Sequence, residues 1–135
     1  MSFDIQIAPR QTYLHVTLTG DAADLDYEDT ILTIARTALE ARLSRILIDW
    51  RQVANLDVLT VLDRFDSATL VAEQVAWMRA QGLRDVRIVS IASEIRADAE
   101  TFTETVAANR GVNVHTARTI AEGLALLGVE PADAP

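Results

Sequence analysis

In the stretch Arg45-Ile46-Leu47-Ile48-Asp49-Trp50, Asp49 is the one charge inside a continuous apolar run. A strand with one wet face alternates apolar and polar residues. A strand without that alternation is typical of a sheet centre, where both faces are covered. The rest of the chain must therefore supply neighbouring strands and amphipathic helices to lie across them. Phe3, Ile5 and Ile7 alternate with Asp4, Gln6 and Ala8 up to Pro9, the period of a half-buried strand. Tyr13 to Leu18 is β-branched and aromatic and is expected to stop at Gly20, so the two segments form a hairpin. Further strands are expected at Val86 to Ile91 and Val112 to His115.

Helical periodicity fills the intervals. After the acidic turn D-A-A-D-L-D-Y-E-D, with Asp24 or Asp26 as cap, Ile31, Ile34, Ala35, Ala38 and Leu39 recur at helical spacing. The acids of that turn lack the alternate spacing, central Gly and terminal Glu of a calcium loop and read as a solvated helix N-terminus. The turn R-Q-V-A-N-L-D leads into the longest helix, about Val58 to Gln81, with Val61, Leu62, Phe65, Ala68, Ala72, Val75 and Ala76 as its buried stripe and Gly82 as its cap. Leu70, Val71, Trp77 and Met78 make this helix unusually apolar. Either neighbouring helices bury a wide face of it, or a patch stays exposed for self-association or partner docking. A helix over about Ala97 to Asn109 and a last one from a Thr116 cap to Leu127, closed by Gly128, complete the order β-β-α-β-α-β-α-β-α. That order predicts one α/β domain over residues 1–130 with a frayed tail at 131–135. Its sheet has about five strands and is mostly parallel, with an antiparallel first strand and right-handed crossovers.

Composition narrows the chemistry. The chain of 135 residues has a formal charge of −8, and all twelve of its basic residues are Arg. Absence of Lys removes Schiff-base and phosphate-loop lysine chemistry, and absence of Cys removes thiol nucleophiles, disulfides and cysteine-ligated metals. The two histidines, His15 and His115, lie a hundred residues apart with no carboxylates at ligand spacing. We expect no catalytic constellation, metal or cofactor. The acidic balance argues against nucleic acid as a partner. No apolar run reaches the eighteen or so residues of a membrane span, and MSFDIQIAPR has no leader pattern, so no membrane insertion and a cytoplasmic location are the expectations. Asp49 has two readings, a buried acid or base with a raised pKa, or a carboxylate paired with an Arg or backbone N–H near the strand end. Trp50 is expected to pack. Ser90 and Ser93 lack a nucleophile elbow, and His115 reads as a hydrogen-bonded structural residue.

The hairpin ending Leu18-Thr19-Gly20, the segment I-L-I-D-W-R-Q-V-A-N-L-D and the closing G-V-N-V-H-T-A-R-T-I-A-E-G-L-A-L-L together resemble the STAS domain, the SpoIIAA-like or anti-sigma-factor-antagonist fold, over Tyr13 to about Leu127. The resemblance implies a helix opening with Asp-Ser-Ser/Thr-Gly, whose hydroxyl is phosphorylated by a partner kinase to turn protein binding off. Here the stretch is Leu56-Asp57-Val58-Leu59-Thr60: Asp57 matches, Val58 and Leu59 replace the hydroxyl residues, and Thr60 replaces the glycine. The switch residue is missing at its expected place, which argues against phosphoregulation there and leaves Thr60 only as a candidate for a displaced acceptor. Without the resemblance, Asp57 reads as a cap for the first turn of the long helix, in a loop at the carboxyl end of a parallel strand where open α/β sheets place binding sites. The expected function is a non-enzymatic regulatory or protein-interaction module acting through Arg51, Asn55, Asp57, Val58 and Thr60. Its partner is a protein, either a kinase of the anti-sigma type or a second copy in a homodimer. The alternative is a domain binding a lipid or another small apolar ligand between sheet and helices.

Overall fold

A computed structural model describes residues 3–55, 61–92 and 112–129, with the side chains of 61–65 outside the description. Five strands, β1 (Asp4–Pro9), β2 (Leu14–Asp21), β3 (Arg45–Ala54), β4 (Arg87–Ile91) and β5 (Asn113–Ala117), form one sheet in sequence order. β1 runs antiparallel to β2, and every later neighbour is parallel. The helices are α1 (Tyr27–Ala41), α2 (Val61–Ala80) and α3 (Ile120–Leu127), with a 3-10 turn at Ala22–Asp24. The expected helix over 97–109, the tail at 131–135 and the candidate residues Asp57, Val58 and Thr60 lie outside the described residues.

Right-handed crossovers that add each new parallel strand on the same side place their helices on one face of the sheet. α1 and α2 occupy that face, where Ile34, Ala38, Val75 and Met78 pack with Leu14, Val16, Ile46 and Ile88. α3 follows the last strand and closes the other face, with Leu124 and Leu127 against Tyr13, Leu47, Val89 and Ile91. Ile46 and Leu47, adjacent in β3, thus point into different apolar layers. This is why the run at the centre of the chain does not alternate.

Several expected boundaries move. Gly20 lies inside β2 with φ 135°, a backbone region open to glycine, and the strand continues to Asp21. Val112 and Val86 fall just outside β5 and β4, and β5 extends through Thr116 to Ala117. The cap of α3 is accordingly Thr119, whose Oγ1 accepts from the Glu122 N–H at 3.1 Å. Asp26 caps α1, as one of the two expected candidates, accepting from the Asp29 N–H at 3.1 Å. On α2, Ala76 is exposed and Met78 is 2% exposed, the reverse of the expected stripe. Two adjacent apolar residues, Val75 and Ala76, left the phase ambiguous, and contact with α1 sets it at Ala68, Val75 and Met78. Among the described residues, no helix is long and apolar enough to cross a membrane.

Candidate functional site

The expected turn R-Q-V-A is strand. Thr17 pairs with Asp49 but Thr19 pairs with Gln52, so Trp50 and Arg51 together face the single residue Leu18. An extra residue of this kind is a β-bulge, which frees a backbone group and reverses the alternation beyond it. Ile46, Ile48 and Trp50 face the α1/α2 layer, and after the bulge Val53 faces it too. The strand persists to Ala54 because the bulge returns an apolar residue to the core. Sequence periodicity broken at Arg51 therefore looked like a turn.

Asp49 holds the bulge. Its carboxylate accepts from the Arg51 backbone N–H at 3.0 Å, from Nε at 2.9 Å and from Nη2 at 2.8 Å. Asp49 is 4% exposed, whereas the Arg51 side chain reaches the surface. Burial pushes the Asp49 carboxyl up, but the hydrogen bonds and charge of Arg51 outweigh it and hold the group below its ordinary range. The guanidinium is held more firmly protonated by the same bonds, against the opposing effect of burial. Of the two readings of Asp49, the paired carboxylate is the one realised.

His15 is the residue that sequence reasoning missed here. It pairs with Leu47, one step diagonal to Asp49 on the same face of the sheet, with its ring centroid 6.1 Å from that of Tyr13. Burial lowers its pKa, the charges of Arg10 and Arg51 add to that, and Asp49 opposes it. Sequence alone does not reach it: aligning the strand ends Gly20 and Val53 without the bulge puts His15 level with Ile48, on the opposite face from Asp49. His115 does not join them. Asp49 is level with Ile91 and Ala117, two residues beyond His115 and two strands away, roughly 12 Å between Cα atoms. Ser93 lies outside the described residues.

A pH dependence follows. The folded state holds His15 below its ordinary pKa of 6.5, so its contribution to stability is complete above that pH and is lost as pH falls through the lowered value. Asp49, lowered from 3.8, behaves the same way in a more acid window. Urea midpoints should fall in two phases on acidification, and His15→Gln should remove only the one nearer neutrality. An unchanged upper phase in that variant would contradict the assignment.

At the end of β3, Asn55 adopts φ 59°, a left-handed conformation that Asn tolerates better than most residues. Its Nδ2 donates to Asp21 Oδ2 at 2.7 Å, while Asp21 Oδ1 accepts from the Ala23 N–H at 2.9 Å. One aspartate thus ties the carboxyl ends of β2 and β3 together and starts the turn into α1. Trp50 packs there as expected, its ring 6.4 Å from Tyr27 at the head of α1. Of the five candidate residues, Arg51 is in the strand and committed to Asp49, and Asn55 follows the strand and is bonded to Asp21.

An anti-sigma factor antagonist from Mycobacterium paratuberculosis superposes with a TM-score of 0.50 at 13% identity, covering 94% of this chain and 95% of that one. The fold is STAS-like. An uncharacterized protein with a SpoIIAA-like fold from Shewanella loihica gives 0.48 at 16% identity, covering 93% and 94% of the two chains. The anti-sigma factor antagonist SpoIIAA in its unphosphorylated form gives 0.47 at 14%, covering 90% and 92%. No family sequence model matches the chain, and no curated protein matches it in sequence.

Proposed function

We propose that this STAS-like domain is a non-enzymatic regulator that binds another protein at the carboxyl end of its sheet, through the segment from Arg51 to Thr60. The observation that carries the reading is the Asp21–Asn55 bond, which anchors the exit of β3 immediately before Leu56-Asp57-Val58-Leu59-Thr60. A docking segment held at its root loses less conformational freedom on binding than a free one. Commitment of Asp49 to Arg51 supports the non-enzymatic part, because that carboxylate is occupied as a structural acceptor. The solved anti-sigma factor antagonist of the same fold supports a protein of the anti-sigma class as partner, on the analogy of fold. A cytoplasmic location fits such a partner.

Val58 and Leu59 have no hydroxyl to accept phosphate. Docking in this reading is constitutive, or is switched elsewhere than at those positions. The experiment is affinity capture from the source cells with the tagged chain, followed by Asp57→Arg and Val58→Glu. A partner lost by at least roughly tenfold with either variant supports the reading. A partner retained by both contradicts it. Incubation with a serine kinase encoded beside the partner should leave Thr60 unmodified; stoichiometric phosphate on Thr60 would restore a switch.

A further inference from the structure

The charges are sorted by end. α1 and α2 both run antiparallel to the strands they connect, and the Arg42 guanidinium donates to the Gln81 carbonyl at 3.2 Å, so their C-termini lie side by side. The C-terminus of α3 joins them, since Arg45 Nη1 reaches the Gly128 carbonyl at 3.4 Å and Arg45 is level with Arg87 across β3 and β4. Arg42, Arg45, Arg79, Arg84 and Arg87 gather at this end, with Arg36 about a turn above it, and only Glu40 and Asp85 are acidic there among the described residues. At the opposite end Asp21, Asp24, Asp26, Glu28, Asp29 and Glu122 surround the starts of α1 and α3, with the exposed Arg118 and the Asp49-bound Arg51 as the basic residues there among those described.

Helix dipoles account for part of this pattern, because acids favour N-termini and cations favour C-termini. They do not account for its size. Three helix ends contribute roughly −0.5 charge each, whereas six guanidinium groups face two carboxylates. Apart from Arg51 with Asp49, no ion pair is recorded among the described residues, so these arginines have no carboxylate partner there. Five of the six are exposed. A groove of about 320 Å³ lined by Leu32, Arg36, Gln74 and the exposed Trp77 lies between the middle of α1 and the last turns of α2, next to Arg36, and offers apolar contact area.

We infer that this basic end is a docking surface for the acidic end of a second copy of the chain, giving a head-to-tail association. It goes beyond the proposed function by giving the basic end a role, and on the acidic end the second copy would compete with the partner proposed there. Both complementary surfaces belong to this molecule. The overall charge of −8 opposes approach at long range, but at physiological salt it is screened beyond about 8 Å, leaving the facing ends to decide the contact. A duplex nucleic acid or an anionic membrane extends past the basic end and meets the acidic body, which disfavours both. A head-to-tail contact uses two different surfaces, so it propagates and does not close as a two-fold dimer does.

Sedimentation of the full chain tests this. At about 0.1 M salt the average mass should rise above the 14.8 kDa monomer with concentration, with a dissociation constant on the order of 100 μM, and association should vanish at about 1 M salt. Arg79→Gln with Arg84→Gln weakens the basic surface, and Asp24→Asn with Glu28→Gln weakens the acidic one, neither creating a surface of reversed charge. Each double variant, folded by circular dichroism, should remain monomeric alone. Mixed, the two should form a heterodimer that grows no further, since one intact surface remains on each. A wild-type chain that stays monomeric overturns the inference. Variants that associate alone, or a mixture that does not pair, overturn it equally.

Discussion

Gly123→Val should cost about 3 kcal/mol of stability, the largest single effect expected outside the docking surfaces. Glycine in a helix interior ordinarily weakens it by about 1 kcal/mol against alanine, so its presence in α3 needs a reason. A Cβ at this position would lie 2.5 Å from Cδ1 of Ile91 and 2.8 Å from Cδ1 of Leu47. Both of those side chains are fully buried and cannot swing into solvent. The helix therefore rides on the sheet at backbone distance, and a branched side chain would force it off β3 and β4. Gly123→Ala already carries the clashing Cβ and should cost about 1 to 2 kcal/mol despite its gain in helix propensity, less than valine with its two further methyls. Thermal melts decide the matter: an alanine variant as stable as the wild type would mean that the close approach does not constrain α3.

Arg51→Ala should destabilise the chain by about 2 kcal/mol, a fall in Tm of roughly 8 °C. Breaking a buried ion pair by removing one partner commonly costs about 3 to 5 kcal/mol. The lower figure applies because the Arg51 side chain is 37% exposed and water reaches that side of the pair. The variant leaves Asp49, 4% exposed, with the residue 51 backbone N–H as the remaining donor among those described. Burial then dominates, so the Asp49 pKa should rise and the acid phase of unfolding should move toward neutrality. Adding Asp49→Asn to Arg51→Ala should recover part of the loss, since a neutral amide is less costly to bury than an unpaired carboxylate. Additive losses in the double variant would show that the two side chains do not act as a pair.

Much of the architecture was legible because its rules are local. Alternation in Phe3 to Ile7, the unbroken run at Ile46 to Ile48 and the helical spacing of Ile34, Ala35 and Ala38 each match the observed element. Short connections then order the strands. The failures came where one residue alters the period. The bulge at Trp50 and Arg51 turned the last four residues of β3 into an apparent turn, because a broken alternation and the end of a strand look the same in one dimension. Gly20, expected to stop β2, is instead accommodated inside it at positive φ. The pairing of Asp49 with an arginine was anticipated as a class of contact, but its relation to His15 depends on the register of β2 against β3, which pattern alone does not supply. Asn55 was picked out as a contact residue, and its bond to Asp21 across two strand ends is a product of topology.

Hydrogen exchange of the chain with and without its captured partner tests the central proposal most directly. Slowed exchange should concentrate in peptides spanning residues 51–60, with little change across α3 and β5. Protection confined to any other surface, or bound partner with no protection in that segment, would contradict a docking site at the carboxyl end of β3.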